Sequence, residues 1–405
     1  SNGEILSSID VNALSQKLKV TREKGITSAA VVFMHSYLNP SNELLVEKIA
    51  KKVGFEHISL SHKVAKTVRF VSRGETTCVD AYLTPILRAY ISKLSKRLPE
   101  VPIEFMQSHG GLVSAHLFSG KNSVLSGPAG GVVGTARTAE KNSRKSVIGF
   151  DMGGTSTDVC HYAGQYERQF ENEVNGVKLN IPMMAIETVA AGGGSVVDFD
   201  GVNMRVGPES AGSNPGPACY KKGGPLTVTD CNVLLGKIRP GYFPKTFGVD
   251  NKQEIDTAEV IKKFESLTKA INDSSDTDMS SEDVAEGFIH IAVSKMADAI
   301  RKISTQKGID LSNYVLNCFG GAAGQHACQV ADALGISTIL IDENASLLSA
   351  VGVGCAKISE IKEETINIQF SEKALQRTRT RLLKVKKQLS KKLLKQGIAE
   401  ENQET

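Results

Sequence analysis

The sequence predicts an α/β protein with more than one domain, and three observations predict it. Strand-like and helix-like segments alternate through the first 107 residues, a pattern that argues for helices layered on a sheet. Residues 314–341, YVLNCFGGAAGQHACQVADALGISTILI, read as strand, glycine loop, helix and strand in succession, which is one βαβ unit. At 405 residues the chain also exceeds what one core supports, so two or three domains are expected.

Taken in order, residues 9–24 suit a helix with Ile9, Leu14 and Leu18 inward, and SAAVVFMHSY (28–37) reads as a buried strand. PSNELLVEKIAKKVG (40–54) combines a serine N-cap, helical apolar spacing and a closing glycine. In 76–98, Tyr82, Ile86, Tyr90 and Leu94 recur on one face, predicting a long amphipathic helix with Pro85 as its kink candidate. VPIEFMQ (101–107) is a further strand. The helix expected after Ser126–Pro128 carries Gly130, Gly131 and Gly134. Each helical glycine costs about 1 kcal/mol relative to alanine, so three together imply close approach by another backbone. Residues 165–250 are turn-rich and strand-like, and 274–283 form a polar linker. A helix from about Val284 to Lys307 follows, with Phe288, Ile291, Val293, Met296, Ile300 and Ile303 largely on one side. The basic segment 371–397 predicts a helix with Leu375, Leu382, Leu389 and Leu393 along a packing seam.

The bulk composition excludes more than it identifies. A net charge of +4 gives no case for nucleic acid as a general partner, and the basic helix lacks the aromatic residues such a role or a membrane role needs. Seven cysteines are scattered and never arranged as C-x-x-C, which predicts reduced thiols in a cytoplasmic protein rather than a disulfide frame or zinc site. No apolar run approaches the length of a membrane span, and the first residues carry no signal-peptide pattern. Because the sequence opens on Ser1, it is expected to be processed or excised from something longer.

The most informative stretch is VIGFDMGGTSTDVCHYAG (147–164). An apolar strand ends in Asp151, a turn follows through Gly153, Gly154, Thr155, Ser156 and Thr157, and a second strand begins at Asp158. Glycines in such a turn let backbone N–H groups approach an anion, and hydroxyls add donors. Asp151 at the strand end suits Mg²⁺ held through water, and Asp158 is positioned to order the surrounding donors. A tight polar hairpin is the structural alternative. This is not a Walker loop, because no G-x-x-x-x-G-K-[ST] occurs in the chain.

A second glycine loop, CFGGAAGQHACQVADALG, puts Gly320, Gly321 and Gly324 between a strand and a helix, with Gln325 and His326 at its end. A loop feeding a helix N-terminus favours anions and nucleotides, although glycine also serves plain strand-to-helix turns. The Rossmann pattern fails on spacing and on the missing acidic residue after the next strand.

Together the two loops resemble those of the actin, sugar kinase and heat-shock chaperone ATPase superfamily. The blocks LSGPAGGVVG, GFDMGGTSTDV, TVAAGGGS, VGPESAGSNPGPACYKKGGPLTVTD, CFGGAAGQHAC and LLSAVG are, in that order, similar to the hydantoinase A/5-oxoprolinase family. The resemblance runs from about Gln107 to Gly352. It implies a two-lobed actin-like ATPase fold with ribonuclease H-like lobes. Residues 1–125 would be the remainder of a first α/β lobe, 126–360 the second ATPase lobe, and 361–405 a basic helix and tail.

The activity implied is ATP-dependent hydrolysis of a cyclic amide of the 5-oxoproline-to-glutamate type, with ATP and Mg²⁺ as cofactors. This chain would bind ATP and phosphorylate the amide carbonyl; Asp151 and Asp158 would be catalytic, with Asp151 also on the metal. The implied partners are a small cyclic amide and a hydantoinase B-type domain or subunit, in a homo-oligomer with no nucleic acid or membrane partner. A hydantoin- or ketone-activating relative is one alternative; a nucleotide-binding but inactive fragment or interaction module is another. The family also implies an earlier D-x-G-G-T-x-T-D hairpin and a C-terminal domain. No such hairpin precedes residue 147, so the chain is expected to be the middle of a larger enzyme.

The remaining candidates are weighed residue by residue. Gly192 and Gly193, within AAGGGS, suit a phosphate contact or hinge, or equally a mobile turn. Glu209, Ser210 and Asn214 lie in a loop too rich in proline and glycine for a core element, a setting for substrate contacts or for a lobe cover. His109, in QSHGG, follows a strand and is a substrate candidate, against a satisfied surface histidine. His326 is a ribose or phosphate candidate, against a residue of the helix's first turn. Cys219 and Cys231 read as buried thiols.

Overall fold

The computed structural model describes residues 3–305, 307–366 and 368–404. Two compact units form. One comprises Ser1–Ala129, Arg168–Met184 and Ala356–Thr405; the other comprises Gly130–Glu167 and Ala185–Cys355. These divisions differ from boundaries at 125 and 360: the basic tail and a short excursion at 168–184 belong with the N-terminal residues, and the boundary at 129/130 falls inside helix Ser126–Lys141.

In the first unit, strands Ser28–Val31 and His57–Leu60 pair in parallel, and Val31, Val46 and Leu60 form a small core with Ile9 and Leu14 against it. The strand expected over 28–37 stops at Val31 because the next carbonyls are used otherwise: Arg73 donates from Nη2 to Phe33 O at 2.6 Å and Met34 O at 2.9 Å. Helix Ser41–Val53 ends at Gly54, whose φ of 100° suits glycine. Ser41 is not its cap; the Asn39 side chain accepts from Ser41 N at 3.1 Å instead.

Helix Phe70–Arg97 inverts the expected amphipathicity. Tyr82, Ile86 and Tyr90 are 72%, 57% and 56% exposed, whereas Thr76, Thr77, Asp80, Ala81 and Thr84 are buried. The hydroxyls are satisfied locally, with Thr76 Oγ1 donating to Ser72 O and Thr77 Oγ1 to Arg73 O, each at 2.7 Å. Asp80 accepts from Ser59 Oγ at 2.7 Å and Lys121 N at 3.1 Å. A polar face can be buried once its groups are paired, and apolar spacing alone does not reveal that pairing. Pro85 sits inside this helix. Helix Glu372–Leu394 likewise leaves Leu375 and Leu382 exposed, and Ala374 is its buried residue.

The second unit is built on a five-stranded sheet, in order Ile186–Val189, Thr157–Tyr162, Val147–Met152, Val315–Phe319, Thr338–Leu340. Thr157–Tyr162 runs antiparallel to both of its neighbours, and the last three strands are parallel. The expected βαβ unit is the parallel edge, with helix Ala327–Leu334 as its crossover. Helix Ser281–Thr305 buries Val284, Phe288, Ile289, Ala292, Met296 and Ile300 in the main core. The polar linker before it is shorter than 274–283, since helix Thr257–Ser275 runs to its start.

The helical glycines do what their number implied. A Cβ on Gly130 would lie 2.5 Å from Ser349 O, and one on Gly134 2.6 Å from Leu348 O. Helix Leu348–Cys355 therefore packs backbone to backbone against them. All seven cysteines are free, and among the described residues no helix is long and apolar enough to cross a membrane.

Candidate nucleotide site

Strands Val147–Met152 and Thr157–Tyr162 pair so that Asp151 stands directly opposite Asp158. Opposed residues project to the same sheet face, and like charges placed so are destabilising unless a cation or proton intervenes. Burial raises the Asp151 carboxyl above its ordinary range, and the Asp158 charge adds to this. Burial raises Asp158 as well. Each carboxylate is steadied by a hydroxyl: Ser349 Oγ donates to Asp151 Oδ2 at 3.1 Å, and Thr188 Oγ1 to Asp158 Oδ1 at 2.5 Å.

The turn between them is held from outside. Gly193 N donates to Gly153 O at 3.0 Å and Gly194 N to Gly154 O at 2.6 Å. A Cβ on Gly192 would lie 2.6 Å from both Ser156 N and Thr155 C. Segment 191–195 is buried, so Gly192 and Gly193 brace the hairpin as a packed strut rather than as a mobile turn. Thr157 is fully buried and donates to Ala191 O at 2.5 Å, which removes its hydroxyl from the set facing an anion. Thr155 and Ser156 stay accessible.

The second glycine loop adjoins this strand end. Ala322 N donates to Met152 O at 3.0 Å, and Gly320 N to Ala345 O at 3.0 Å. Gly320 has φ of 90°, and a Cβ there would collide with Asp151 Oδ1 and with Met152 O, so only glycine lets the loop approach the carboxylate. Gly153, Gly154, Gly321 and Gly324 behave differently. None has positive φ, and a Cβ on any of them would meet nothing within 4 Å. Neither backbone strain nor packing within the chain demands glycine at these four positions. They border open space, as a cradle for backbone contacts to an anion does.

Other candidates fall elsewhere. His326 is 1% exposed, inside the protein rather than at an accessible surface. Its Nε2 lies 3.1 Å from Asn232 Nδ2, whose amide also donates to Gln325 Oε1 at 2.7 Å. Burial, with Lys237 second, pushes its pKa down to about 4. His109 belongs to the first unit, is 3% exposed rather than a surface histidine, and is also pushed down to about 4, by burial and then Arg168.

Glu209 and Ser210 lie on strand Met204–Ser210 rather than in a loop. A Cβ on Gly194 would sit 3.1 Å from Ser210 Oγ, which links that strand end to the hairpin's brace. Glu209 and Asn214 are exposed. The far half of the same segment is core: Cys219 and Cys231 are fully buried, and burial lifts the thiol pKa values of both.

Four residues escaped the sequence reading. Ser349 and Thr188, the partners of the two aspartates, come from distant segments; LLSAVG, which contains Ser349, stood out as a block without a role. Asn232 joins Gln325 and His326. Asp230 is fully buried and accepts from Ala218 N, Cys219 N and Thr227 N at 3.1, 2.8 and 2.8 Å. The TVTD spacing, a threonine three residues before an acid, was the available signal for that capping box.

Among the described residues no three His, Cys, Asp or Glu side chains are grouped to hold a metal unaided. Mg²⁺ does not need such a group, since it is usually held by one or two carboxylates together with phosphate oxygens and water. The Asp151–Asp158 pair beside the glycine cradle fits that donor set.

The fold is shared with two solved structures. ATP-dependent caprolactamase from Pseudomonas jessenii matches with a TM-score of 0.77 at 30% identity, over 95% of this chain and 57% of that one. Nucleotide-free acetone carboxylase matches in fold, with a TM-score of 0.76 over 96% of this chain and 56% of that one.

The chain belongs to the hydantoinase/oxoprolinase family: that family's model matches residues 73–362, and the model of its N-terminal region matches residues 1–54. 5-Oxoprolinase 1 of Arabidopsis thaliana is 43% identical over 98% of this chain and 32% of its own length. Caprolactamase subunit alpha of Pseudomonas jessenii is 31% identical over 94% of this chain and 56% of its own. The chain thus spans about a third of the 5-oxoprolinase it matches and a little over half of the caprolactamase subunit.

Proposed function

We propose that this chain is the ATP-binding, carbonyl-activating part of an ATP-dependent cyclic amide hydrolase with an actin-like ATPase fold. The observation that carries the reading is the Asp151–Asp158 pair beside four glycines that neither φ nor packing requires. Backbone N–H groups around Gly153, Gly154, Gly321 and Gly324 would hold phosphate oxygens, with Thr155 and Ser156 as added donors. Asp151 would hold Mg²⁺ through water, kept in orientation by Ser349; the ion would neutralise charge on the phosphates. Asp158, fixed by Thr188, would order the opposite side.

In the reaction, the bond from the γ-phosphorus to the ADP oxygen breaks and one to the amide carbonyl oxygen forms. The amide nitrogen gives up its proton, leaving a phosphorylated cyclic imidate whose ring carbon is open to water. Addition of one water and ring opening leave an acyl phosphate and a free amine, and a second water releases inorganic phosphate and leaves the carboxylate. Positioning of the two oxygens in line would supply most of the rate. We assign the hydrolytic half to a hydantoinase B-type domain or subunit; a relative named as a subunit alpha is consistent with such a division.

5-Oxoproline is the proposed substrate, supported by 43% identity to a 5-oxoprolinase against 31% to a caprolactamase subunit. The test is ADP release by the protein with 5-oxoproline, caprolactam, a hydantoin or acetone offered in turn. Stimulation by 5-oxoproline above the others is expected. Stimulation by acetone or a hydantoin alone would replace the substrate, and ATP turnover indifferent to all four would contradict the hydrolase reading.

A further inference from the structure

The first unit contains a cationic cavity that the nucleotide reading does not use. Its organising residue is Glu43, fully buried on helix Ser41–Val53. Glu43 accepts from Phe33 N at 3.0 Å, Ser61 Oγ at 2.5 Å and His62 N at 3.1 Å, and lies 2.6 Å from His62 Nδ1. Burial opposes its charge, but the bonds from Ser61 and His62 hold its carboxyl below the usual range. An ionised carboxylate only accepts, so Nδ1 is the donor in that pair. The other ring nitrogen, Nε2, has no hydrogen-bond partner among the described residues.

His62 lines a cavity of about 450 Å³ together with Lys63, Lys66, Lys121, Lys362 and Lys392. The carboxylates around it are fewer than the cations. Glu364 is shared by Lys66, Lys362 and Arg381 at 3.3, 3.0 and 2.9 Å. Glu360 takes Lys392 at 2.9 Å, and Glu47 is divided between Lys51 and Lys63. Glu363 also lines the cavity. Lys121 forms no ion pair within 4 Å among the described residues, although Asp80 and Glu360 act on it from farther away; its Nζ donates to Val64 O. Burial pulls its ammonium below the usual lysine range. A cation in that position gains from an incoming negative charge.

We propose that this cavity binds a small anion with carboxylate or phosphate oxygens, gripped by Lys121, Lys362 and Lys392, with His62 also in its lining. The volume suits a small molecule. Lysine ammoniums act as point charges without the fixed fork of arginine, so they accept either oxyanion. The site goes beyond the nucleotide reading and shares no residue with it.

The experiment is calorimetric titration of the 405-residue chain with inorganic phosphate and, separately, glutarate. One of them is expected to bind with a Kd at or below about 1 mM, weakening as salt is raised. Preference for phosphate identifies a phosphorylated ligand; preference for glutarate identifies a carboxylate. Lys121→Met should weaken the preferred anion at least about tenfold. Because Lys121 also pairs with Val64 O, a second variant is needed, Lys362→Gln with Lys392→Gln, at side chains 31% and 57% exposed. It should lower affinity and flatten the salt dependence. Binding unchanged in both variants would assign the anion to another place, such as the hairpin, and overturn the proposal. So would a folded parent that binds neither anion. Mg·ATP affinity, read separately, reports on the hairpin.

Discussion

Replacing Gly192 by alanine and, separately, Gly153 or Gly321 by alanine should give opposite results. A Cβ on Gly192 would come within 2.6 Å of Ser156 N and Thr155 C, two backbone atoms of the hairpin. Backbone cannot step aside as a side-chain tip does, so the strut must shift. Overpacking of this kind costs about 1–3 kcal/mol, which at about 2–4 °C per kcal/mol for a domain of this size lowers Tm by several degrees. Gly153 and Gly321 have neither positive φ nor a neighbour within 4 Å of a Cβ. Alanine there should leave stability the same or raise it by up to about 1 kcal/mol, which is up to about 4 °C in Tm, since it narrows the unfolded ensemble. It should nonetheless cut Mg·ATP affinity at least about tenfold, or about 1.4 kcal/mol, by intruding on the anion's space. Differential scanning calorimetry and nucleotide titration on the same preparations read both quantities. Gly153→Ala and Gly321→Ala proteins that are stable and bind Mg·ATP like the parent would refute the cradle. A Gly192→Ala protein of unchanged Tm would refute the strut.

Two further predictions concern stability. His109 and His326 fall from 6.5 to about 4 on folding, so between those values the unfolded chain binds protons that the folded chain does not. Stability from this source is complete above pH 6.5 and is lost as pH falls toward 4, by about 3 kcal/mol for each histidine. Asp151, Asp158 and Asp230 are raised and act in the opposite sense. The measurement is therefore the difference in urea-unfolding free energy between the parent and His109→Gln with His326→Gln, which should shrink from pH 7 to pH 4; a constant difference would contradict it. Asp230→Ala strands the N–H groups of Cys219 and Thr227, while Ala218 N keeps Pro225 O at 2.9 Å; each stranded group costs about 1–3 kcal/mol if it stays buried. A loss above about 3 kcal/mol in urea unfolding is expected, and a loss under about 1 kcal/mol would show that other groups satisfy them.

What could be read in the sequence was what depends on short-range patterns. The hairpin aspartates, the two glycine loops, the βαβ edge and the crowded glycines of helix Ser126–Lys141 are all local signatures with a mechanical cause. The failures lie where partners distant in sequence decide. The polar face of helix Phe70–Arg97 turns inward because Asp80 finds Ser59 and Lys121 and Thr76 accepts from Asn180 N. Ser349 is 198 residues from Asp151, so no spacing rule finds it. Gly192 and Gly153 look alike in sequence. Only the position of the neighbouring backbone distinguishes a strut from a cradle.

The central claim is that Asp151 and the glycine cradle hold Mg·ATP, and calorimetric titration of the chain beside Asp151→Asn tests it most directly. The substitution keeps the shape while removing the charge that faces Asp158, so the fold should persist. The parent should bind Mg·ATP, and the variant should lose at least about tenfold in affinity, with a smaller loss when Mg²⁺ is omitted from both. Parent affinity should decline on acidification from above the ordinary carboxylate range, because burial raises the Asp151 carboxyl. Equal Mg·ATP affinity in a folded Asp151→Asn protein would contradict the claim.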